Sequence, residues 1–184
     1  MTHLKKYQAD SADVMLDTSD VAQIKDELAA IDIQFEQWSL AEPITNRMDE
    51  SAVFRAYESD IQRICQQGGY QSYDCVHMQP DHPQRVAFRE KFLDEHTHAE
   101  DEVRFFVKGS GLFYLHVAGV VYGVTMVEGD FIRIPSGVVH WFDMGEKPLF
   151  TALRFFTNPD GWVAQFTGAD TAKRFPLYEA PSHP

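Results

Sequence analysis

Cysteine is scarce in this chain of 184 residues, and long apolar runs are absent. Cys65 and Cys75 are too few for a disulfide framework, and they argue against a cysteine-based metal site. No stretch approaches the roughly 18 consecutive apolar residues that a membrane-spanning helix needs. The first twenty residues hold no apolar core of signal-peptide length. These absences predict a cytoplasmic protein that does not associate with membranes.

Basic residues are also few, since 16 lysine and arginine residues stand against 28 aspartate and glutamate residues, a formal net charge of −12. Such a surface repels phosphate backbones and anionic lipids, which excludes nucleic acids and membrane surfaces as partners. Hydrophobic residues at 44% and charged residues at 24% are ordinary for a folded, soluble protein. The length fits a single domain that covers residues 1–184.

The first 72 residues have a mixed pattern. Residues 19–31 predict a helix, because a Ser-Asp pair suited to N-capping precedes apolar residues at helical spacing. Imperfect alternation over residues 33–38 predicts a strand. A second helix is predicted over residues 51–67, where two successive glycines end the pattern.

From Tyr73 to about residue 167, short β-branched and aromatic runs alternate with turn residues. The runs cover residues 73–79, 103–109, 111–117, 121–127, 130–135, 138–143 and 149–156. Turn signals stand at residues 109–111, 119, 128–130, 143–145 and 158–161. Several short strands joined by tight turns predict an antiparallel sandwich or barrel, followed by a short, loosely ordered C-terminal tail.

The sequence His96-Thr-His98 followed by Glu102 is the strongest chemical signal. Two histidines at positions i and i+2 of a strand point to the same side, and a carboxylate four residues later reaches the same point if the chain bends. Two imidazoles and one carboxylate suit Fe(II), Ni, Mn or Zn and leave coordination positions open. A charged, solvated loop is the alternative interpretation of this stretch.

A second segment runs from Gly129 through Pro135 and Gly137 to His140. Pro135 ends a strand, and Gly137 permits a tight turn that directs His140 back into the fold. Taken alone, His140 beside Trp and Phe is more often a core histidine. The two segments together, in this order, favour one metal site formed by both.

The patterns HxHxxxE, then Gly109, and GxxxxxPxGxxH resemble the paired motifs of the cupin superfamily. Glu90 stands where the first motif usually begins with glycine, and Met144 stands where the second often ends in asparagine. The resemblance implies a mainly β fold. The fold it implies is a cupin-type antiparallel β-barrel (double-stranded β-helix) over about residues 73–167, with a few peripheral α-helices in the N-terminal third.

The stretches EHTHAEDEVRFFVKGSGLFYLHV, PSGVVHWFDMG and FTNPDGWVAQFTG, between residues 95 and 168, resemble the acireductone dioxygenase family of methionine salvage. This resemblance implies a monomeric enzyme that holds one Fe(II) or Ni(II) ion through His96, His98, Glu102 and His140. It implies cleavage of 1,2-dihydroxy-3-keto-5-methylthiopentene, an acireductone, by O2. With iron the products are formate and 4-methylthio-2-oxobutanoate; with nickel they are 3-methylthiopropanoate, formate and carbon monoxide.

Arg104 is the candidate catalytic cation, and the family resemblance implies that it helps to form the substrate dianion. On a strand beginning at Glu102, residues 102 and 104 share a face. The apolar residues Val103, Phe105 and Val107 occupy the other face, which could equally be the inward one. The sequence leaves that choice open, and an arginine on the rim is the alternative.

Further residues near the motifs are candidates for supporting roles. The resemblance gives Glu95 and Asp101 roles in metal uptake and in relaying conformational change, whereas a solvated acidic rim is the simpler account. Candidate walls for the substrate tail are Phe92, Phe105, Phe142 and Trp162, although aromatic residues more often form ordinary core. His3, His77, His82, His116 and His183 lack ligand spacing and are predicted not to bind metal.

Two other functions share these ligands. One is a cupin oxygenase or isomerase with a different small-molecule substrate, and the other is a non-catalytic cupin that binds metal. The four ligands alone do not distinguish these two functions from that of an acireductone dioxygenase. The preference for the dioxygenase therefore depends on the longer stretches that resemble that family.

Overall fold

Strands dominate the computed structural model, which describes residues 1–45, 48–158 and 162–179. The strands are β1 (His3–Gln8), β2 (Val14–Thr18), β3 (Gln34–Gln37), β4 (Ser72–Met78), β5 (His96–Thr97), β6 (Glu102–Val117), β7 (Val120–Val127), β8 (Asp130–Ile134), β9 (Val139–Asp143), β10 (Phe150–Phe156) and β11 (Gln165–Phe166). The helices are α1 (Val21–Ala29), α2 (Glu50–Ala56), α3 (Glu58–Gly68), α4 (Arg85–Leu93) and a 3-10 turn at Thr171–Arg174. Within those ranges no helix has the length and apolar character to cross a bilayer.

The strands form two antiparallel sheets that share β6. One sheet has the order β2-β1-β7-β6-β9-β5-β11, and the other has the order β4-β10-β6-β8-β3. Across the described residues the hydrogen-bonded ladder does not close into a ring. The expectation of a mainly β, antiparallel fold is confirmed.

The long strand β6 corrects one expectation from the sequence. Residues 109–111 were expected to form a turn between two strands, but the chain continues as one strand of 16 residues. Its first half pairs with β8 and β10, and from Ser110 onward it pairs with β7 and β9. Gly109 stands at the change of sheet with a φ of +69°. Its left-handed conformation redirects the strand without ending it.

Gly109→Ala is expected to destabilise the protein by more than about 3 kcal/mol, because strain at positive φ adds to a backbone clash. A Cβ atom at Gly109 would lie 1.8 Å from the carbonyl oxygen of Leu149. Gly119→Ala is the matched control, since its φ is +75° and no atom lies within 4 Å of the added Cβ. It should cost about 1–2 kcal/mol. Urea unfolding measures both free energies, and equal losses would contradict the clash.

Two apolar clusters show which face of β6 points towards the core between the sheets and which points towards α2 and α3. Val103, Phe105 and Val107 pack beneath α2 and α3, in a cluster with Tyr57 of the helix junction. Phe106 instead belongs to the core between the two sheets. Because side chains alternate along a strand, residues 102 and 104 share the inward face with Phe106. The choice that the sequence left open is therefore settled in favour of Glu102 and Arg104 pointing inward.

The N-terminal third agrees in part with its sequence pattern. Helix α1 and strand β3 form where they were predicted, and Asp20 caps α1 by accepting hydrogen bonds from two main-chain N–H groups, at 2.9 and 3.2 Å. The helix expected over residues 51–67 is instead two helices that meet at Tyr57, whose φ of −112° is not helical. Strands β1 and β2 and helix α4 were not predicted.

The end of the described chain is anchored more firmly than the sequence indicated. Tyr178 is buried, its N–H donates to Asp143 at 2.8 Å, and its hydroxyl donates to Ser110 at 2.7 Å. The expected turn at residues 158–161 falls largely outside the described residues, as does His183.

Candidate metal centre

Three short segments bring four potential metal ligands into one buried group. His96 lies in β5 with His98 just beyond it, Glu102 begins β6, and His140 lies in β9 directly opposite His96. The four side chains are at most 8% exposed. One ligand atom from each lies within 4.8 Å of the others. No other histidine in the described ranges joins this group.

Main-chain carbonyl groups determine which nitrogen of each imidazole faces the group. Each ring contacts a carbonyl oxygen through Nδ1. The pairs are His96 with Asp94 at 2.7 Å, His140 with Val138 at 2.8 Å and His98 with Val163 at 3.2 Å. Because a carbonyl oxygen only accepts, Nδ1 must carry the proton and Nε2 is left with the lone pair. This is the tautomer that binds a metal through Nε2.

The ionisation of the group suits metal binding as well. Burial, together with His140, lowers the pKa of His96 to about 4, so this ring is neutral at physiological pH. Burial alone would raise the pKa of Glu102, but the positive charge of Arg104 holds it well below its usual range. A neutral imidazole and an ionised carboxylate are the forms that act as ligands.

Arg104 lies beside the group and is 5% exposed. Its Nε is 2.8 Å from Oε1 of Glu102, but neither atom makes a well-directed hydrogen bond, so the contact is an ion pair. The guanidinium carbon lies 4.7 Å from the ring centre of Phe142 and 5.7 Å from that of Trp162. A full positive charge is thus held among aromatic rings, where little solvent screens it.

The residues present fit a divalent transition metal. Three imidazole nitrogens and one carboxylate oxygen suit Mn, Fe, Ni or Zn, and intrinsic affinity alone does not select among them. A six-coordinate metal held by these four donors would have two positions left for other ligands. An arrangement of this kind can hold a small chelating oxygen compound beside a buried cation.

A cavity of about 140 Å³, the metal cavity, surrounds the group. Besides the four ligands, it is lined by Lys91, Phe92, Arg104, Phe142, Arg154, Trp162 and Ala164. The structure thus brings Phe92, Phe142 and Trp162 to the site as the sequence suggested. The expectation for Phe105 is corrected, because this ring lies on the opposite face of β6 and packs edge-on against Tyr57, 5.7 Å away.

Glu95 and Asp101 anchor the segments around the ligands rather than contacting the ligands themselves. Oε1 of Glu95 accepts a hydrogen bond from the hydroxyl of Thr167 at 2.8 Å, and Oε2 lies 3.2 Å from Nδ1 of His116. Asp101 accepts hydrogen bonds from Nε of Arg133 at 2.6 Å and from the N–H of Ser136 at 3.0 Å. The first carboxylate fixes the segment beyond β11, and the second fixes the turn that precedes His140.

Arg154 lines the metal cavity and was missed from the sequence. It pairs across the sheet with Arg104, and its guanidinium forms two hydrogen bonds with the carboxylate of Asp74, at 2.7 and 2.5 Å. The available signal was a single charged residue within the otherwise apolar and hydroxyl-bearing run LFTALRFF. Lys91 and Ala164 gave no such signal.

Comparison with known proteins places this arrangement in a family. The family model described as ARD/ARD' matches residues 4–164. An acireductone dioxygenase of Parvibaculum lavamentivorans is 49% identical over 181 residues, covering 98% of each chain. One from a Synechococcus species is 47% identical over 179 residues, covering 96% of this chain and 99% of its own.

A solved structure supports the same assignment at the level of the fold. The acireductone dioxygenase from Bacillus anthracis, with a cadmium ion in its active centre, superposes with a TM-score of 0.79. It is 22% identical and covers 90% of this chain and 98% of its own. The cupin-type fold expected from the sequence is thereby confirmed. The chain belongs to the ARD/ARD' family of acireductone dioxygenases.

Proposed function

We propose that this protein is an acireductone dioxygenase that holds one Fe(II) or Ni(II) ion through His96, His98, Glu102 and His140. Its substrate is 1,2-dihydroxy-3-keto-5-methylthiopentene, and its co-substrate is O2. The observation that carries the proposal is the buried group of four ligands with Arg104 beside it. Relatives named acireductone dioxygenase, about half identical over nearly the whole chain, favour this substrate over those of other cupins.

A divalent metal bound at these residues supplies Lewis-acid stabilisation for the enediolate oxygens of the substrate. Arg104 adds a fixed positive charge, which favours loss of the second enediol proton and makes the substrate electron-rich enough to react with O2. Phe92, Phe142 and Trp162 exclude water from the metal cavity, and this strengthens the attraction between Arg104 and an anion. Each residue therefore acts on the ionisation of the substrate.

The proposed reaction balances without a further reductant. With iron, the bond between C1 and C2 breaks, and each of these carbons gains one oxygen atom, giving formate and 4-methylthio-2-oxobutanoate. With nickel, the bonds on both sides of C2 break, giving formate, carbon monoxide and 3-methylthiopropanoate.

We further propose that the chain acts as a monomeric, single-domain enzyme of the cytoplasm, as its acidic composition and scarce cysteines suggest.

Metal replacement tests this proposal. Protein stripped with a chelator should lose turnover of the acireductone, and reloading with Fe(II) should restore formate and keto acid production without carbon monoxide. Reloading with Ni(II) should release carbon monoxide in equal amount to formate. A sample without protein corrects for spontaneous oxidation. Failure of both reloaded forms to exceed that background would refute the proposed activity.

A further inference from the structure

A second cavity, of about 240 Å³, adjoins the metal cavity. We call it the tail chamber. The two cavities share one wall, formed by Phe92, Arg104, Phe142 and Arg154. The tail of a molecule whose oxygen atoms lie at the ligands would pass between these four side chains to reach the tail chamber.

The far part of the tail chamber is apolar. Beyond the shared wall it is lined by Val76, Met78, Phe88, Met144 and Phe150. Met78, Met144 and Phe150 are at most 3% exposed and belong to the core between the sheets. Unbranched methionine side chains adapt their shape to what they contact. The chamber thus suits a flexible hydrocarbon or thioether chain.

The roof of the tail chamber has a defined position. It is helix α4, which contributes Phe88 and Phe92 and has no fully buried residue. Arg89 of the same helix donates two hydrogen bonds to the carboxylate of Asp143, at 2.7 and 3.1 Å. Asp143 is fully buried and also accepts a hydrogen bond from the N–H of Tyr178. These hydrogen bonds hold helix α4 against strand β9.

The tail chamber is larger than the proposed substrate requires. A methylthioethyl tail has four non-hydrogen atoms, and at about 30 Å³ for each, the share of one water molecule in the liquid, it needs about 120 Å³. The chamber's volume of about 240 Å³ therefore holds about eight such atoms.

We propose that this enzyme oxidises a class of acireductones with apolar tails of up to about eight non-hydrogen atoms, bound in the tail chamber. The inference rests on the proposed function and widens its substrate range. The reaction is unchanged, because O2 supplies both oxygen atoms and the tail forms and breaks no bond. Each methylene group that enters the chamber should improve binding about fourfold until the chamber is full.

Turnover of a homologous series is the first test. Acireductones with unbranched alkyl tails of three to twelve carbons are supplied to the iron-loaded enzyme, and O2 consumption is followed. The value of kcat/KM should rise by about two- to fourfold per methylene up to about eight carbons and then fall. A maximum at four carbons with a tenfold loss by six would overturn the inference.

Binding without turnover is the second test. Alkyl hydroxamic acids of increasing length chelate a metal through two oxygens, and titration calorimetry with the nickel-loaded protein gives their Kd. The Kd should fall with each carbon and stop falling at about eight. Met144→Trp should move this break to shorter tails, and Phe88→Ala should move it to longer ones. Met15→Trp on the exposed edge strand β2 is the control.

The two measurements separate failure of the inference from failure of the proposed function. If no acireductone is turned over but the hydroxamates show the break near eight carbons, the tail chamber stands and the dioxygenase activity does not. If the methylthio substrate is turned over but both series are best at four atoms, the activity stands and the wider substrate class does not. A break that neither chamber variant moves also overturns the inference.

Discussion

Arg104→Ala is expected to lower turnover by about 10³-fold while the protein retains its metal. Removing one electrostatic group that stabilises an oxyanion in a water-poor site typically costs about 10²–10³-fold in rate, and a buried full charge lies at the upper end. Arg104 is 5% exposed and points inward beside Glu102, so its charge acts on whatever the metal cavity holds. Arg104→Lys should recover only part of the activity, because an ammonium group lacks the planar fork of a guanidinium.

The spectrum of the bound substrate separates this role from a merely structural one. Ionisation of an enediol shifts its ultraviolet absorption, so mixing substrate and enzyme without oxygen reports how many protons are lost. Arg104→Ala should bind the substrate as a monoanion and lack the full shift of the unmodified protein. Arg63→Ala is the control, since Arg63 lies on α3 against Trp38. A normal shift and normal turnover in Arg104→Ala would refute the proposed role.

His98→Ala is expected to lower the affinity for metal by at least about 100-fold. Loss of a group that only orients a ligand already costs about 10–100-fold, and loss of the ligand itself removes a bond. Elemental analysis after reloading and desalting should fall from one metal per chain to well below one. His82→Ala should keep one metal per chain, because His82 lies in the turn before α4 and its Nδ1 accepts from the N–H of Gln84.

The same variant should also lose the stability that metal confers. The ligands come from three chain segments, and an ion that binds only the folded protein stabilises it by about 2.7 kcal/mol at a concentration 100 times its Kd. Adding metal should therefore raise the Tm of the unmodified protein and leave that of His98→Ala nearly unchanged. Equal metal-dependent shifts in the two proteins would place the binding site elsewhere.

Local chemistry explains why the sequence pointed to the ligands. His96 lies in β5 and His98 lies just beyond its end, and Gly137 turns the chain back before His140, so short-range geometry fixes much of the site. Gly137 has a φ of +78°, in the left-handed region that the predicted tight turn requires. The antiparallel character of the fold was equally accessible, because alternation and turn residues are local.

What the sequence could not provide depends on distant contacts. The inward face of β6 was undecided because both of its faces are buried, one by the other sheet and one by α2 and α3. Phe105 was misplaced for the same reason. Helix α4 gave no clear pattern because it has no fully buried residue. Strand β1 is held by pairing with β7, more than a hundred residues later in the chain.

The shared strand β6 has a consequence for how the protein unfolds. One half of it is hydrogen-bonded into each sheet, and Glu102 and Arg104 lie within it. A protein made of two separate layers can lose one layer and keep the other, as semi-independent cooperative units do. In the described part of this chain the two sheets are not separate in this way, because β6 belongs to both. Unfolding of either sheet would therefore disrupt the strand with which the other sheet pairs. Glu102, one of the four proposed ligands, therefore lies on the strand whose opening we expect to accompany global unfolding.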